Sequence, residues 1–256
     1  MSDTILDSSP AGEGYFQQSR RPLASLLFAL PLLAVYELGV VLQGTGAILN
    51  GADVWLRQLL GAFGVASSIA LPASIVGILL AWHHTTTQPW RVRSSVLGGM
   101  AIECALLAAV LLAGVHVQRR LFDWLDVPLV VLSTAEIIAQ QASHGSLREG
   151  FAHLVSFFGA GVYEETLFRL MLLPACTLAL RAAKVRPRTS VVVAVCVTSA
   201  LFSAAHHVGA FGEPLDPFRI TFRFAAGVFF SALFLFRGFG IAAGTHALYD
   251  VFAAWS

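Results

Sequence analysis

Long apolar runs separated by short clusters of charge dominate the chain. Seven of them approach or exceed the roughly 18–20 residues that a helix needs to cross the hydrocarbon core of a bilayer. They lie near residues 22–43, 65–82, 95–117, 151–180, 190–207, 219–236 and 239–255. Only Arg237 and Gly238 join the last two, and the final run is barely long enough, so a tilted or re-entrant path is compatible with it. The pattern predicts an all-α fold, a polytopic transmembrane helix bundle of about seven spans, with six to eight fitting the same runs. It divides the chain into a polar N-terminal tail over 1–20 and a single integral membrane domain over 21–256.

Two connections break this rhythm. Over Asn50 to Phe63, helical spacing gathers Trp55, Leu56, Leu59, Leu60 and Phe63 on one face and turns Asp53, Arg57 and Gln58 elsewhere, as in a helix lying in the membrane interface. From Arg119 to Gly150 runs the longest connection; its apolar stretch Val127 to Leu132 is too short to cross and is expected at the interface or as a partial lid.

Composition sharpens the membrane reading: 57% of residues are hydrophobic and 12% charged, against about a quarter charged in soluble domains. A formal net charge of +1 without a basic face or Lys/Arg run points away from a nucleic-acid partner. Cys104, Cys176 and Cys196 sit inside apolar runs without CxxC spacing and read as small, membrane-buried packing residues. The first eighteen residues lack the basic n-region of a cleaved signal, so the first span is expected to be an uncleaved anchor. Lys and Arg fall preferentially in the loops that would be cytoplasmic with the N-terminus inside, which suggests a multi-pass protein of the cell inner membrane with a cytoplasmic N-terminus. Trp55, Trp82, Trp90, Trp124 and Trp255 fall at or near span ends, the interfacial position such rings prefer.

Ionisable side chains inside a bilayer are unfavourable by a few kcal/mol each, so their positions carry functional information. They concentrate in three runs. Glu164 and Glu165 are adjacent in the middle of an apolar helix; Glu165 and Arg169, four apart, share a face and can pair. Glu164 lies about 100° around the helix without that partner. Phe202 and His206 are one turn apart near the end of the next run, and His246 and Asp250 stack on one face of the last. Polar groups on three apolar helices must find one another or a water-filled cavity. The set suits water activation, with Glu164 taking a proton, His206 holding the water, and His246 and Asp250 facing a carbonyl oxygen. An interhelical polar clamp is the bland alternative. A divalent metal such as zinc is the lesser one, because neither HExxH nor a Cys-rich ligand set occurs; no cofactor is expected. Glu37 and Glu103 read first as packing or interfacial groups, His207 as a loop-side residue, and His153 as lining an entrance.

Together, Glu164-Glu165-xxx-Arg169, Phe202-xxx-His206 and His246-xxx-Asp250 resemble the motifs of the CPBP family, the CAAX-protease and bacteriocin-processing group of intramembrane glutamic endopeptidases. The likeness covers Phe151 to Trp255 and implies a catalytic core at 151–256. It implies that Glu164 activates water with His206, that His246 and position 250 polarise the scissile carbonyl, and that Glu165, Arg169 and Phe202 support them. Members with prenyl-protein activity usually carry Asn at the last position, where this chain has Asp250. An ionised Asp cannot donate a hydrogen bond to an oxyanion, so Asp250 is either protonated or orients His246.

The reading is therefore an intramembrane endopeptidase that hydrolyses a peptide bond in a membrane-associated protein or peptide by glutamate-activated water. Its partners are that substrate, whether prenylated CAAX-type, leader or C-terminal sorting tail, and the lipid bilayer. Two other readings use the same residues: a non-catalytic immunity or scaffold protein of the family, and a small ion-coupled transporter.

Overall fold

In a computed structural model, residues 14–44, 47, 49–65, 67–126, 147–209 and 212–255 are described. They fold as helices without a strand among them: α1 (Tyr15–Ser19), α2 (Pro22–Gln43), α3 (Gly51–Ala62), α4 (Ala70–His84), α5 (Ser94–Trp124), α6 (Leu147–Gly159), α7 (Leu173–Ala182), α8 (Pro187–Ala205), α9 (Pro217–Arg237) and α10 (Phe239–Ala254). The all-α expectation holds. Proline opens α2, α8 and α9 at the first helical position, where its missing N–H has no intrahelical partner to lose. Asp216 caps α9 by accepting from the Arg219 N–H at 3.0 Å. Gly238, at φ +90°, is the whole connection between α9 and α10, a left-handed residue that glycine adopts without strain.

Every predicted run coincides with a helix, but several bounds move. The run at 65–82 yields a helix of only 15 residues, α4, because the chain before Ala70 is not helical. The run at 95–117 continues to Trp124, past the end of its apolar part, because Phe122 packs edge-on against Phe218 at 5.5 Å and Gln118 donates to the Phe218 carbonyl at 2.9 Å. The run at 151–180 is one unbroken rod. α6 passes into π-helical turns at Ala160–Glu164 and Thr166–Leu172 and out into α7, with Gly159, Glu165 and Leu172 all keeping right-handed helical dihedrals. Among the described residues four helices, Pro22–Gln43, Ser94–Trp124, Pro187–Ala205 and Pro217–Arg237, are long and apolar enough to cross a membrane. The lid expected over Val127 to Leu132 lies outside the described residues.

The bundle is apolar on both sides, as a protein dissolved in lipid must be. Leu38, Val41 and Leu42 of α2, Ile102, Leu106 and Val110 of α5, and Val192, Val197 and Leu201 of α8 face outward and exposed, while Asp53, Glu165, Arg169, Thr245 and His246 are buried. The chain is an integral membrane protein. Its last run, expected to be marginal, forms the central helix: Phe239 to Ala247 of α10 are all buried, enclosed by α2, α5, α9 and the π-helical turns. A helix that is apolar all round belongs inside, and 16 residues suffice where protein rather than lipid surrounds it.

Most of the predicted apolar face of α3 turns outward. Its inner face is Ala52, Asp53 and Leu56, and Asp53 is fully buried, whereas Trp55, Leu59 and Phe63 are exposed. Inside the bundle Asp53 finds the Tyr36 hydroxyl at 2.9 Å and Arg57 at 2.6 Å, partners that lipid cannot offer. The tryptophans are all exposed, with Trp82, Trp124 and Trp255 at helix ends. Of the cysteines, Cys104 is buried, Cys176 half-buried and Cys196 exposed on α8, so only the first fits the expected packing role closely. Glu103 does pack: it accepts from Tyr15 at 2.5 Å and from Arg237 at 2.5 and 2.8 Å, tying α1, α5 and α9 together.

Candidate active site

The site forms where the π-helical turns meet α10. A Cβ on Gly161 would lie 2.6 Å from the Ala243 carbonyl oxygen and 2.7 Å from Ala247, so only glycine lets the two helices approach this closely. The contact brings the adjacent carboxylates of Glu164 and Glu165 to His246. The turns themselves are wide, with i→i+5 hydrogen bonding of the kind found most often at functional sites.

Glu165 and Arg169 form the ion pair expected from their spacing, at 2.9 Å and with both side chains buried. Two further bonds support the pair: Arg169 also donates to the Gly227 carbonyl at 3.1 Å, and Glu165 Oε1 lies 2.8 Å from His246 Nδ1. Such bonds offset part of the desolvation cost of a buried pair, although Glu165 Oε2 has no hydrogen bond among the described residues. Because a carboxylate can only accept, Nδ1 of His246 carries the proton and donates it toward Glu165.

Glu164 is held differently. Its Oε1 accepts from the Asn50 side chain at 2.9 Å. Its Oε2 is buried and accepts no hydrogen bond from the described residues, yet it faces Nε2 of His206 at 3.6 Å and Nε2 of His246 at 3.8 Å. His206 caps the C-terminal end of α8, and its Nδ1 donates to the Phe202 carbonyl at 2.8 Å, so Nε2 of the neutral ring is an acceptor pointed at the same place. Asp250 Oδ2 stands 3.8 Å from His246 Nε2. Distances of 3.6–3.8 Å are too long for direct hydrogen bonds and suit a bridging water-sized group.

Aromatic rings fix these groups. Phe202 meets His206 edge-on at 4.7 Å and His246 at 6.0 Å, and on its other side lies 4.4 Å from the Arg169 guanidinium carbon. Its one-turn spacing from His206 therefore reflects a wall between the arginine and the imidazoles. Phe230 stacks on His246 at 4.5 Å with planes 13° apart.

All seven residues singled out in the sequence thus converge: Glu164, His206, His246 and Asp250 around one point, with Glu165, Arg169 and Phe202 behind them. His207 turns away, its Nδ1 on the Glu213 carbonyl at 3.0 Å, and His153 is exposed and stacked on Phe157 at 6.1 Å. Among the described residues no group of three or more His, Cys, Asp and Glu could hold a metal ion.

Residues 148–252 match the Rce1-like family. The family model is described as type II CAAX prenyl endopeptidase Rce1-like, and it bears out the resemblance to the CAAX-protease group drawn from the motifs. No curated protein and no solved structure matches the chain. The Rce1-like segment contains all three motifs and supports an intramembrane endopeptidase at the level of the family.

Three neighbours of the site escaped the sequence reading. Asn50 lies outside the Rce1-like segment, and nothing in the sequence marked its bond to Glu164. Phe230 sits in an apolar run where nothing marks one phenylalanine among several. Arg223, in the first turns of α9, pairs with Glu213 and acts electrostatically on Glu164, His206 and Asp250. In the loop before α9, burial alone would push the Glu213 carboxyl up, but Arg223 outweighs it and holds the group below the usual carboxylate range.

Proposed function

We propose that this chain is an intramembrane endopeptidase that hydrolyses a peptide bond of a membrane-associated protein or peptide with water activated by Glu164. One observation carries the reading. Glu164 Oε2 has no hydrogen bond among the described residues and converges with Nε2 of His206 and Nε2 of His246 at 3.6 and 3.8 Å.

A water between Glu164 and His206 donates one proton to each acceptor and leaves its oxygen lone pairs for the scissile carbon. As the oxygen attacks, its proton passes to Glu164 Oε2. The carbonyl oxygen becomes an oxyanion, which His246 stabilises through an Nε2 proton when the ring carries two, Glu165 receiving the other from Nδ1. Donors placed at an oxyanion contribute about 3–4 kcal/mol. Collapse of the tetrahedral intermediate breaks the C–N bond. Glu164 returns its proton to the leaving nitrogen, giving a carboxylic acid and an amine.

Asp250 reaches the same His246 nitrogen that faces Glu164, while Glu165 already holds Nδ1. Its role on this reading is to donate from the protonated carboxyl beside the oxyanion. On this reading the water is activated by Glu164 and His206 without a metal. The substrate class is a prenylated CAAX-type protein, a leader peptide or a C-terminal sorting tail, met from an inner membrane in which the N-terminus is cytoplasmic.

Purified enzyme in lipid vesicles is assayed on lipidated and leader-type peptides, with excess chelator present. Glu164→Gln is expected to lower cleavage by about 10³-fold or more while the unfolding temperature stays within a few degrees of wild type. Cleavage by Glu164→Gln at the wild-type rate overturns the proposal.

A further inference from the structure

Asn50 belongs to the loop before α3, about a hundred residues before the Rce1-like segment, yet its side chain bonds to Glu164. The orientation of its amide is fixed by its other bond. The carbonyl Oδ1 accepts from the Ala52 N–H at 2.8 Å, the N-cap of α3, so the opposite end, Nδ2, is a donor and faces Glu164 Oε1 at 2.9 Å. Only an amide satisfies both neighbours: the backbone N–H requires an acceptor and the carboxylate requires a donor.

The loop carrying this amide is tied from behind. The Asn50 N–H donates to the Tyr36 hydroxyl at 3.4 Å, and that hydroxyl donates to Asp53 Oδ2 at 2.9 Å. Asp53 Oδ1 accepts from Arg57 Nε at 2.6 Å, and Arg57 Nη2 reaches Glu37 at 3.0 Å. Glu37 in turn accepts from the hydroxyl of Tyr163, the residue next to Glu164. The rings of Tyr36 and Tyr163 meet edge-on at 5.1 Å, which closes the circuit. It runs from Glu164 through Asn50, Tyr36, Asp53, Arg57, Glu37 and Tyr163 back to the same helix, and its members come from α2, α3 and the π-helical turns. Tyr36, Asp53 and Tyr163 are fully buried, so these bonds are made where lost partners are not replaced by water.

Resting on the reading of Glu164 as the base, we propose that Asn50 is a positioning residue for it. The amide occupies Oε1 and fixes the carboxylate plane, so that Oε2 is the oxygen presented to the two imidazoles. Without that bond the carboxylate is free to rotate and to turn either oxygen, or neither, toward the reacting water. The N-terminal helices therefore supply part of the reaction geometry that the three motifs do not contain.

Three substitutions separate this role from simple capping. Asn50→Ala removes cap and donor together. Asn50→Ser and Asn50→Asp both cap a helix about as well as asparagine. Neither donates to Glu164: serine is too short, and aspartate sets a second carboxylate against the first. The expected result is wild-type KM for the Ser and Asp variants and a near wild-type unfolding temperature for the Ser variant, with kcat lowered by about 10- to 100-fold, the worth of a hydrogen bond to a charged group. The Asp variant is expected to be the slower of the two. If the Ser and Asp variants regain the kcat that the Ala variant loses, Asn50 is a cap only and the proposal fails. Wild-type kcat in all three overturns it equally. Failure of the underlying reading shows elsewhere, as cleavage by Glu164→Gln, so the two cannot be confused.

Discussion

Two carboxylate clusters in this bundle, one half-buried and one deep, each tied to an arginine, show what separates a structural ion pair from a reactive one. At one end of the helices, Glu103 has both oxygens bonded: Tyr15 donates to Oε2 at 2.5 Å, and Arg237 donates to Oε1 at 2.5 Å and to Oε2 at 2.8 Å. Arg237 also reaches Ser19 at 2.8 Å and the Phe16 carbonyl at 3.2 Å, so the cluster clasps α1 to the bundle and leaves nothing free. In the candidate site the cation belongs to Glu165 alone. Glu164 has only the Asn50 amide, and its second oxygen meets imidazoles at distances too long for direct bonds. Position within an apolar helix is common to both glutamates. What differs is saturation: one carboxylate is spent on its neighbours and the other is directed at a point between helices.

The comparison can be broken at three places. The largest effect is expected for Arg169→Ala, which strands the fully buried Glu165 and should destabilise the fold by about 3–5 kcal/mol, read as a lowered denaturation midpoint in detergent. A midpoint near wild type would mean that Glu165 is not held by this pair. Next is Glu103→Gln. It should lower stability by about 1–3 kcal/mol through the weakened clasp while kcat is unchanged, the reverse of the outcome for Glu164→Gln. Loss of kcat in Glu103→Gln at full stability would erase the distinction between the clusters. The smallest effect is expected for Asp250→Asn, within about threefold of wild-type kcat, because an amide of the same size donates as a protonated carboxyl does. A loss of a hundredfold would show that the negative charge of Asp250 is needed.

Much of the site was legible in the chain because helical spacing and the scarcity of charge in apolar runs are local properties. Glu165 and Arg169 were paired from their separation of four, and His246 and Asp250 were placed on one face by the same rule. That the three runs must bring their polar groups together followed from the absence of partners in lipid. Local reasoning failed where the other partner comes from far along the chain. Asp53 of α3 was read only as lying off the apolar face, whereas it is buried against Tyr36, 17 residues back. Asn50 carried no sign of Glu164, 114 residues away.

Membrane residence and an all-α bundle are thus determined by composition and periodicity, which also singled out the polar residues of three apolar runs, since each follows from what a residue can or cannot do beside its near neighbours. Packing alone decided the rest. It made the shortest apolar run the central helix, widened the turns around the two glutamates into π-helix, and set Phe230 against His246. It also gave the adjacent carboxylates different environments. These features depend on distances between helices, such as the approach that Gly161 permits, and side-chain periodicity along one helix holds no information about how near the next one lies.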